Sequence, residues 1–139
     1  MSLRILYLSC HSILEHDEIS LFNKLGHYVF SPGAYVEPAN PGDASLRPGL
    51  MDVKYDPEDI TAWRKLQDEV GHDKDPKYLL SKEFVDRFDA VIVMHIPEWI
   101  TNNWEAMKHK TVVWRTIGQS IAHQELKLSH YRDQGMKIV

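Results

Sequence analysis

The chain has 139 residues, of which 43% are hydrophobic and 26% charged, a balance that suits one globular domain with a sizeable core and excludes a disordered one. A formal net charge of -4 gives no general attraction to nucleic acid or to an anionic membrane, so any phosphate site has to be local. No apolar run approaches the roughly 20 residues of a membrane span, and the amino terminus lacks a charged-then-apolar signal pattern; the expectation is a cytoplasmic protein. The single cysteine, Cys10, excludes an internal disulfide and a cysteine-rich zinc site.

Arg4-Ile5-Leu6-Tyr7-Leu8-Ser9 is too short for a typical helix, rich in β-formers and apolar without alternation, which predicts a strand buried on both faces. Ser12-Ile13-Leu14-Glu15 has the form of a capping box opening a helix, and Gly26 is placed to end it after Leu25. Leu14, Leu21, Phe22 and Leu25 define the expected packed face of that helix, with Asp17 and Glu18 beside it. Tyr28 to Ser31 reads as a second strand. Four of the seven prolines and three of the seven glycines then fall between Pro32 and Gly49, so 32–55 is expected to be a long, poorly ordered loop within the domain.

Helix resumes at Asp56-Pro57, with Asp56 as N-cap, Pro57 at the first turn, and Glu58 and Asp59 complementing the dipole. Ile60, Trp63, Leu66 and Val70 line one face. A short helix over about 81–88 feeds a third strand, Ala90-Val91-Ile92-Val93-Met94-His95. Ile96, Ile100, Trp104 and Met107 recur at helical spacing and predict one core-facing helix. Thr111-Val112-Val113-Trp114-Arg115-Thr116 is the fourth strand, Ser120 caps a helix to about Gln134, Gly135 ends it, and Met136 begins a fifth strand.

Strand and helix in alternation imply right-handed crossovers and an open parallel sheet, so the expected architecture is a three-layer α/β/α, Rossmann-like domain with the first and third strands adjacent. Such sheets bind ligands at the carboxyl ends of their strands. Ser9, His95, Arg115 and Thr116 all fall there. No G-x-G-x-x-G follows the first strand and no P-loop occurs, which argues against a dinucleotide dehydrogenase or a P-loop nucleotidase. Cys10 lacks the downstream arginine that a cysteine-dependent phosphatase needs, and the acids of a phospho-acceptor receiver are absent from the strand ends.

His95 and His11 are placed to approach each other across the crevice, either as hydrogen-bonded core residues or as reacting groups; no third ligand stands out for a metal. Arg115 carries the sharpest signal. A guanidinium ending a buried strand either holds an anion or sugar oxygen or forms a structural salt bridge, for which Asp17, Glu18 and Glu125 are the candidates. The segment Thr116-Ile117-Gly118-Gln119-Ser120 leads to a helix N-terminus, whose amides also favour an anion.

Several of these segments resemble a known family. Arg4 to Ser9, followed by Glu18-Ile19-Ser20-Leu21-Phe22-Asn23-Lys24-Leu25-Gly26-His27-Tyr28-Val29, resembles the amino-terminal domain of glycosyltransferases with two Rossmann-like domains, the GT-B type. Phe88 to His95 and Thr111 to Thr116 resemble two further strands of that domain. The chain departs from the pattern in having Cys10-His11-Ser12 where many members carry two glycines, and Arg115 where a histidine is usual.

The resemblance implies the acceptor-side half of a longer enzyme, since two such domains take about 300 residues. It implies a nucleotide-sugar donor held mainly by a second domain, an acceptor held by this one, no cofactor or metal, and no turnover by this half alone. On that basis the candidate catalytic residues are Arg115 and His95, and the candidate substrate-binding residues are His11, Ser12, Thr116 and Gln119. The alternative from the residues alone is a free-standing Rossmann-like module that binds a small anionic or nucleotide ligand.

Overall fold

The computed structural model describes residues 2–9, 12–32, 56–70, 78–116 and 128–139, with side chains of the first helix described from residue 17 onward. In chain order the elements are β1 (Arg4–Leu8), α1 (Ser12–Lys24), β2 (Tyr28–Phe30), α2 (Pro57–Val70), α3 (Lys82–Val85), β3 (Ala90–Val93), α4 (Glu98–Thr101), α5 (Trp104–Met107), β4 (Thr111–Trp114) and β5 (Lys137–Ile138). The five strands form one sheet in the order β2-β1-β3-β4-β5, and every neighbouring pair is parallel. β1 lies against β3 as the strand pattern requires, with Ile5 opposite Ala90 and Leu8 opposite Val93.

Alternation along the strands sorts side chains into two cores. Leu6, Leu8, Val91, Val93, Val112 and Trp114 face one side, where Trp63 and Leu66 of α2, Phe84 and Val85 of α3, Ile100 of α4, and Trp104 and Met107 of α5 cover them. Ile5, Tyr7, Val29 and Met94 face the other, under Ile19 of α1. Helices therefore cover both faces of an open parallel sheet, the three-layer α/β/α arrangement that alternating strands and helices dictate. Full burial of both faces holds for Ile5 to Leu8, whereas Ile92 and Val113 on the α1 side remain partly exposed.

Three helices differ from their sequence patterns. The buried stripe of α1 runs through Ile19, with Phe22 packed beside it, while Leu21 and Leu25 are 53% and 62% exposed. Spacing alone places the seam through Leu14, Leu21, Phe22 and Leu25, but a helix lying on Tyr7 and Met94 turns Glu18 toward Tyr7 and leaves Leu21 exposed. The helix expected at 81–88 is the single turn Lys82–Val85, whose N-cap Ser81 accepts from the Phe84 amide at 3.1 Å. The helix expected after His95 is two turns, α4 and α5, broken at Asn102 and Asn103.

Asn103 is the cause of that break. Its side chain accepts from the Leu80 amide at 2.6 Å and donates at 2.8 Å to the Tyr78 carbonyl, outside the helices, and to the Trp99 carbonyl of α4, where a side-chain donor bonds the carbonyl four residues back. Ile100, Trp104 and Met107 still reach the core from either side of it. Gly26 at φ +89 and Gly135 at φ +111 end their helices in the left-handed conformation. The latter closes a helical turn at 128–132, inside the longer helix expected from Ser120; residues 117–127 lie outside the described residues, as does the expected loop at 32–55 except for Pro32.

α2 is pinned to the amino end of the sheet by charge. Asp59, wholly buried, accepts from the Arg4 guanidinium and from Arg87 Nε at 2.7 Å, and Arg4 also lies 4.6 Å over the Tyr28 ring. Asp56 accepts from the Glu58 amide at 2.9 Å, the capping contact expected of it. The role assigned to Asp59 from sequence, complementing the helix dipole, understates it: this carboxylate joins β1, α2 and the segment before β3.

Candidate functional site

The strand order reverses between β1 and β3, since β2 lies on the far side of β1 and β4 on the far side of β3. That switch point is where an open α/β sheet leaves a crevice above its strand ends. The chain beyond β1 delivers Ser9 there, β3 delivers His95, and β4 delivers Arg115 and Thr116. The ladder itself continues slightly past the strands: Met94 N donates to Leu8 O and Arg115 N to Val93 O, each at 2.9 Å.

His95 is held in an uncommon backbone. Its φ is +70, and the Ile96 amide donates to the Met94 carbonyl at 2.8 Å across it, closing a three-residue γ-turn. A γ-turn whose central residue has positive φ is rare and strained, and for a residue with a Cβ this costs of order 1–3 kcal/mol. The turn carries a half-buried imidazole past the end of β3 beside the exit of β1.

Arg115 follows Trp114, whose side chain enters the α2 side, so its own side chain lies on the α1 side. There Nε donates to Glu18 Oε1 at 2.8 Å, and Nη1 donates to the Thr116 carbonyl at 2.6 Å. Glu18 Oε2 accepts from the hydroxyl of fully buried Tyr7 at 2.8 Å. Tyr7, Glu18 and Arg115 thus form one continuous chain of hydrogen bonds from β1 through α1 to β4. Of the three salt-bridge candidates for Arg115, Glu18 is the partner; Asp17 is exposed, and Glu125 lies outside the described residues. Among the described residues Nη2 of Arg115 makes no hydrogen bond, and the side chain is 36% exposed.

Thr116 is occupied by β5: its amide and its hydroxyl both donate to the Val139 carbonyl, at 2.8 and 2.9 Å, and the Val139 amide returns to Trp114 O. Ser9 donates to the Met94 sulfur at 3.8 Å. His11, Gln119 and the side chain of Ser12 lie outside the described residues, as does Cys10, so the structure brings together His95, Arg115 and Thr116 at the strand ends.

Two groups at this end escaped the sequence reading. The strand pattern reads Tyr7 as one more apolar residue; its signal is a lone hydroxyl in an otherwise aliphatic run, which when buried needs a partner. Trp114 is wholly buried, and its Nε1 is, among the described residues, the buried side-chain polar atom with no hydrogen bond. Such an orphaned donor costs about 1–3 kcal/mol.

Elsewhere a cleft lined by Leu66, Phe84, Ser81 and Arg87 separates α2 from α3, and another lies between α5 and the turn at 128–132, beside Trp104 and Tyr131. In the second, the Trp104 indole donates to Gln134 at 2.9 Å. Among the described residues no three His, Cys, Asp or Glu side chains converge to hold a metal, and no helix is long and apolar enough to cross a membrane. No family model matches the chain, and neither does any curated protein or solved structure.

Proposed function

We propose that the chain is the acceptor-side, amino-terminal domain of a GT-B type glycosyltransferase, which moves a sugar from a nucleotide-sugar donor to an acceptor lying in the crevice over β1, β3 and β4. The observation that carries this reading is the γ-turn at His95. Backbone strain persists only where the surroundings over-determine it, and it concentrates at functional sites; here it sits at the one place in a doubly wound sheet where ligands collect. The segments that resemble that family supply the reaction type, with the donor held mainly by a second domain.

In this reading the acceptor hydroxyl meets His95. An imidazole titrates near neutral pH, so in its neutral form it takes the proton as the hydroxyl oxygen attacks the sugar. Arg115, fixed through Nε and Nη1, offers its remaining nitrogen to a ligand oxygen. A positioned donor of this kind contributes on the order of 3 kcal/mol to the barrier, and lysine does not reproduce the planar fork.

The test has two arms. Read through the gene beyond the codon for Val139, the frame is expected to continue into a second strand-and-helix domain; the 139-residue chain alone is expected to release no nucleoside diphosphate from a panel of nucleotide sugars. Turnover by the short chain, freed of contaminating enzyme, overturns the fragment reading. In the longer product, Arg115→Lys is expected to lower kcat about 100-fold while the melting temperature holds. Unchanged turnover per folded molecule removes Arg115 from the site.

A second reading is favoured by the strand order. The sequence β2-β1-β3-β4-β5 is also that of flavodoxin-like single-domain binding proteins, which hold a phosphorylated ligand at the β1/β3 switch point. Tight binding of a nucleotide by the 139-residue chain itself selects this module over the transferase.

A further inference from the structure

A free guanidinium attracts any oxyanion, whereas one already bonded to a carboxylate does not. Arg115 Nε lies 2.8 Å from Glu18 Oε1, so the pair presents no net charge to the crevice, and a phosphate approaching Arg115 meets the Glu18 charge with it. Nor is Glu18 free to swing away. Its second oxygen accepts from Tyr7, which is wholly buried in β1, and the Glu18 side chain is 17% exposed.

What the pair still offers is mixed: N–H donors on Arg115 and spare lone pairs on the Glu18 oxygens. A hydroxyl, which both donates and accepts, satisfies both kinds; a phosphate satisfies the first and is repelled by the second. We propose that Glu18 is the specificity-determining residue of the crevice: by neutralising Arg115 in a fixed geometry it admits hydroxyls of an uncharged ligand and turns phosphate away. This rests on the reading above only in placing a ligand at the carboxyl ends of β1, β3 and β4. The printed contacts of the pair are with Tyr7 on the Glu18 side and the Thr116 carbonyl on the Arg115 side, neither of which adds a charge. Working at about pH 8 keeps an ordinary histidine neutral, which leaves Arg115 as the cation under test.

The readout is the side-chain Nε–H resonance of Arg115, identified by its loss in Arg115→Lys. In the unaltered 139-residue chain, a set of neutral methyl glycosides of the common hexoses is expected to shift this resonance with concentration, and inorganic phosphate is expected to leave it in place. In Glu18→Gln the guanidinium charge is no longer offset by a neighbouring carboxylate, and phosphate is expected to shift the resonance. Equal shifts by phosphate in both proteins overturn the proposal while leaving an anion-binding crevice standing. No response of Arg115 to either probe in either protein overturns both the proposal and the placement of a ligand there. If Glu18→Gln does not fold, the two titrations of the unaltered chain decide the matter, with Tyr7→Phe as the milder variant: loosening Glu18 is expected to admit phosphate weakly, and a protein as indifferent to phosphate as the parent counts against the role.

Discussion

The same chemistry, arginine on carboxylate, is used at both ends of this sheet to opposite effect, and β1 takes part in both. At the amino end Arg4 and Arg87 converge on Asp59, which has no exposed surface at all, and Arg4 adds Asp56 and the face of Tyr28. At the carboxyl end Arg115 meets Glu18 alone, with Tyr7 behind it, and both partners keep some exposure. The arginines are about equally exposed, Arg4 at 37% and Arg115 at 36%, so the carboxylates make the difference: Asp59 is closed over, whereas Glu18 keeps an open edge beside a strained histidine turn and an orphaned indole N–H. A carboxylate surrounded on every side has a structural task, and one with a side left open is available to a ligand.

The largest effect is expected from breaking the closed end. Arg4→Met keeps the side-chain length but leaves the buried Asp59 with one cation instead of two, and removes the stacking on Tyr28. Loss of one partner from a buried ion pair costs about 3 kcal/mol or more. Urea unfolding is expected to show that drop with no change in slope; a loss below about 1 kcal/mol places Asp59 in the solvent-screened class and erases the contrast between the two ends.

A smaller effect, of opposite character, sharpens the open end. Trp114→Phe deletes the unpartnered Nε1–H together with part of a buried ring. The relief of an unsatisfied donor, about 1–3 kcal/mol, offsets the loss of packing that follows from a smaller aromatic, so stability is expected to stay within about 1 kcal/mol of the parent. A loss of several kcal/mol in the same unfolding assay shows the indole N–H to be paired, and the carboxyl end then to be as fully satisfied as the amino end.

Why one end was more legible than the other follows from the range of the signals. Strands announce themselves locally: four apolar runs became β1 to β4, Met136 led into β5, and the adjacency of β1 and β3 followed from crossover handedness. Gly26 and Gly135 marked helix ends because a positive φ leaves few other choices. Partners distant in sequence carry no such mark. Nothing near Asp59 announces Arg4, 55 positions away, and nothing near Glu18 singles it out from Asp17 for Arg115, 97 positions away. The seam of α1 failed for a related reason, since leucine spacing cannot foresee that a tyrosine below the helix will draw a glutamate inward. Asn103 broke a good helical pattern because the Leu80 amide and the Tyr78 carbonyl needed its side chain more than the helix did.

The smallest effect belongs to the rim of the amino end, where charge is exposed and pH acts on it. Asp86, at the end of α3, accepts from Lys82 Nζ at 2.9 Å and lies 2.5 Å from His109 Nε2. The Lys82 hydrogen bond, and then that of His109, hold the Asp86 carboxyl below its ordinary value of 3.8. A folded-state value depressed below the unfolded one means that the contribution is complete above about pH 4 and fades as pH falls through the folded value. Asp86→Asn is expected to lower stability slightly at neutral pH and to flatten its acid decline, read from urea midpoints across a pH series. If parent and variant lose stability in parallel below pH 4, this rim contributes nothing, and the amino end owes its charge-derived stability to the buried carboxylate of Asp59 alone.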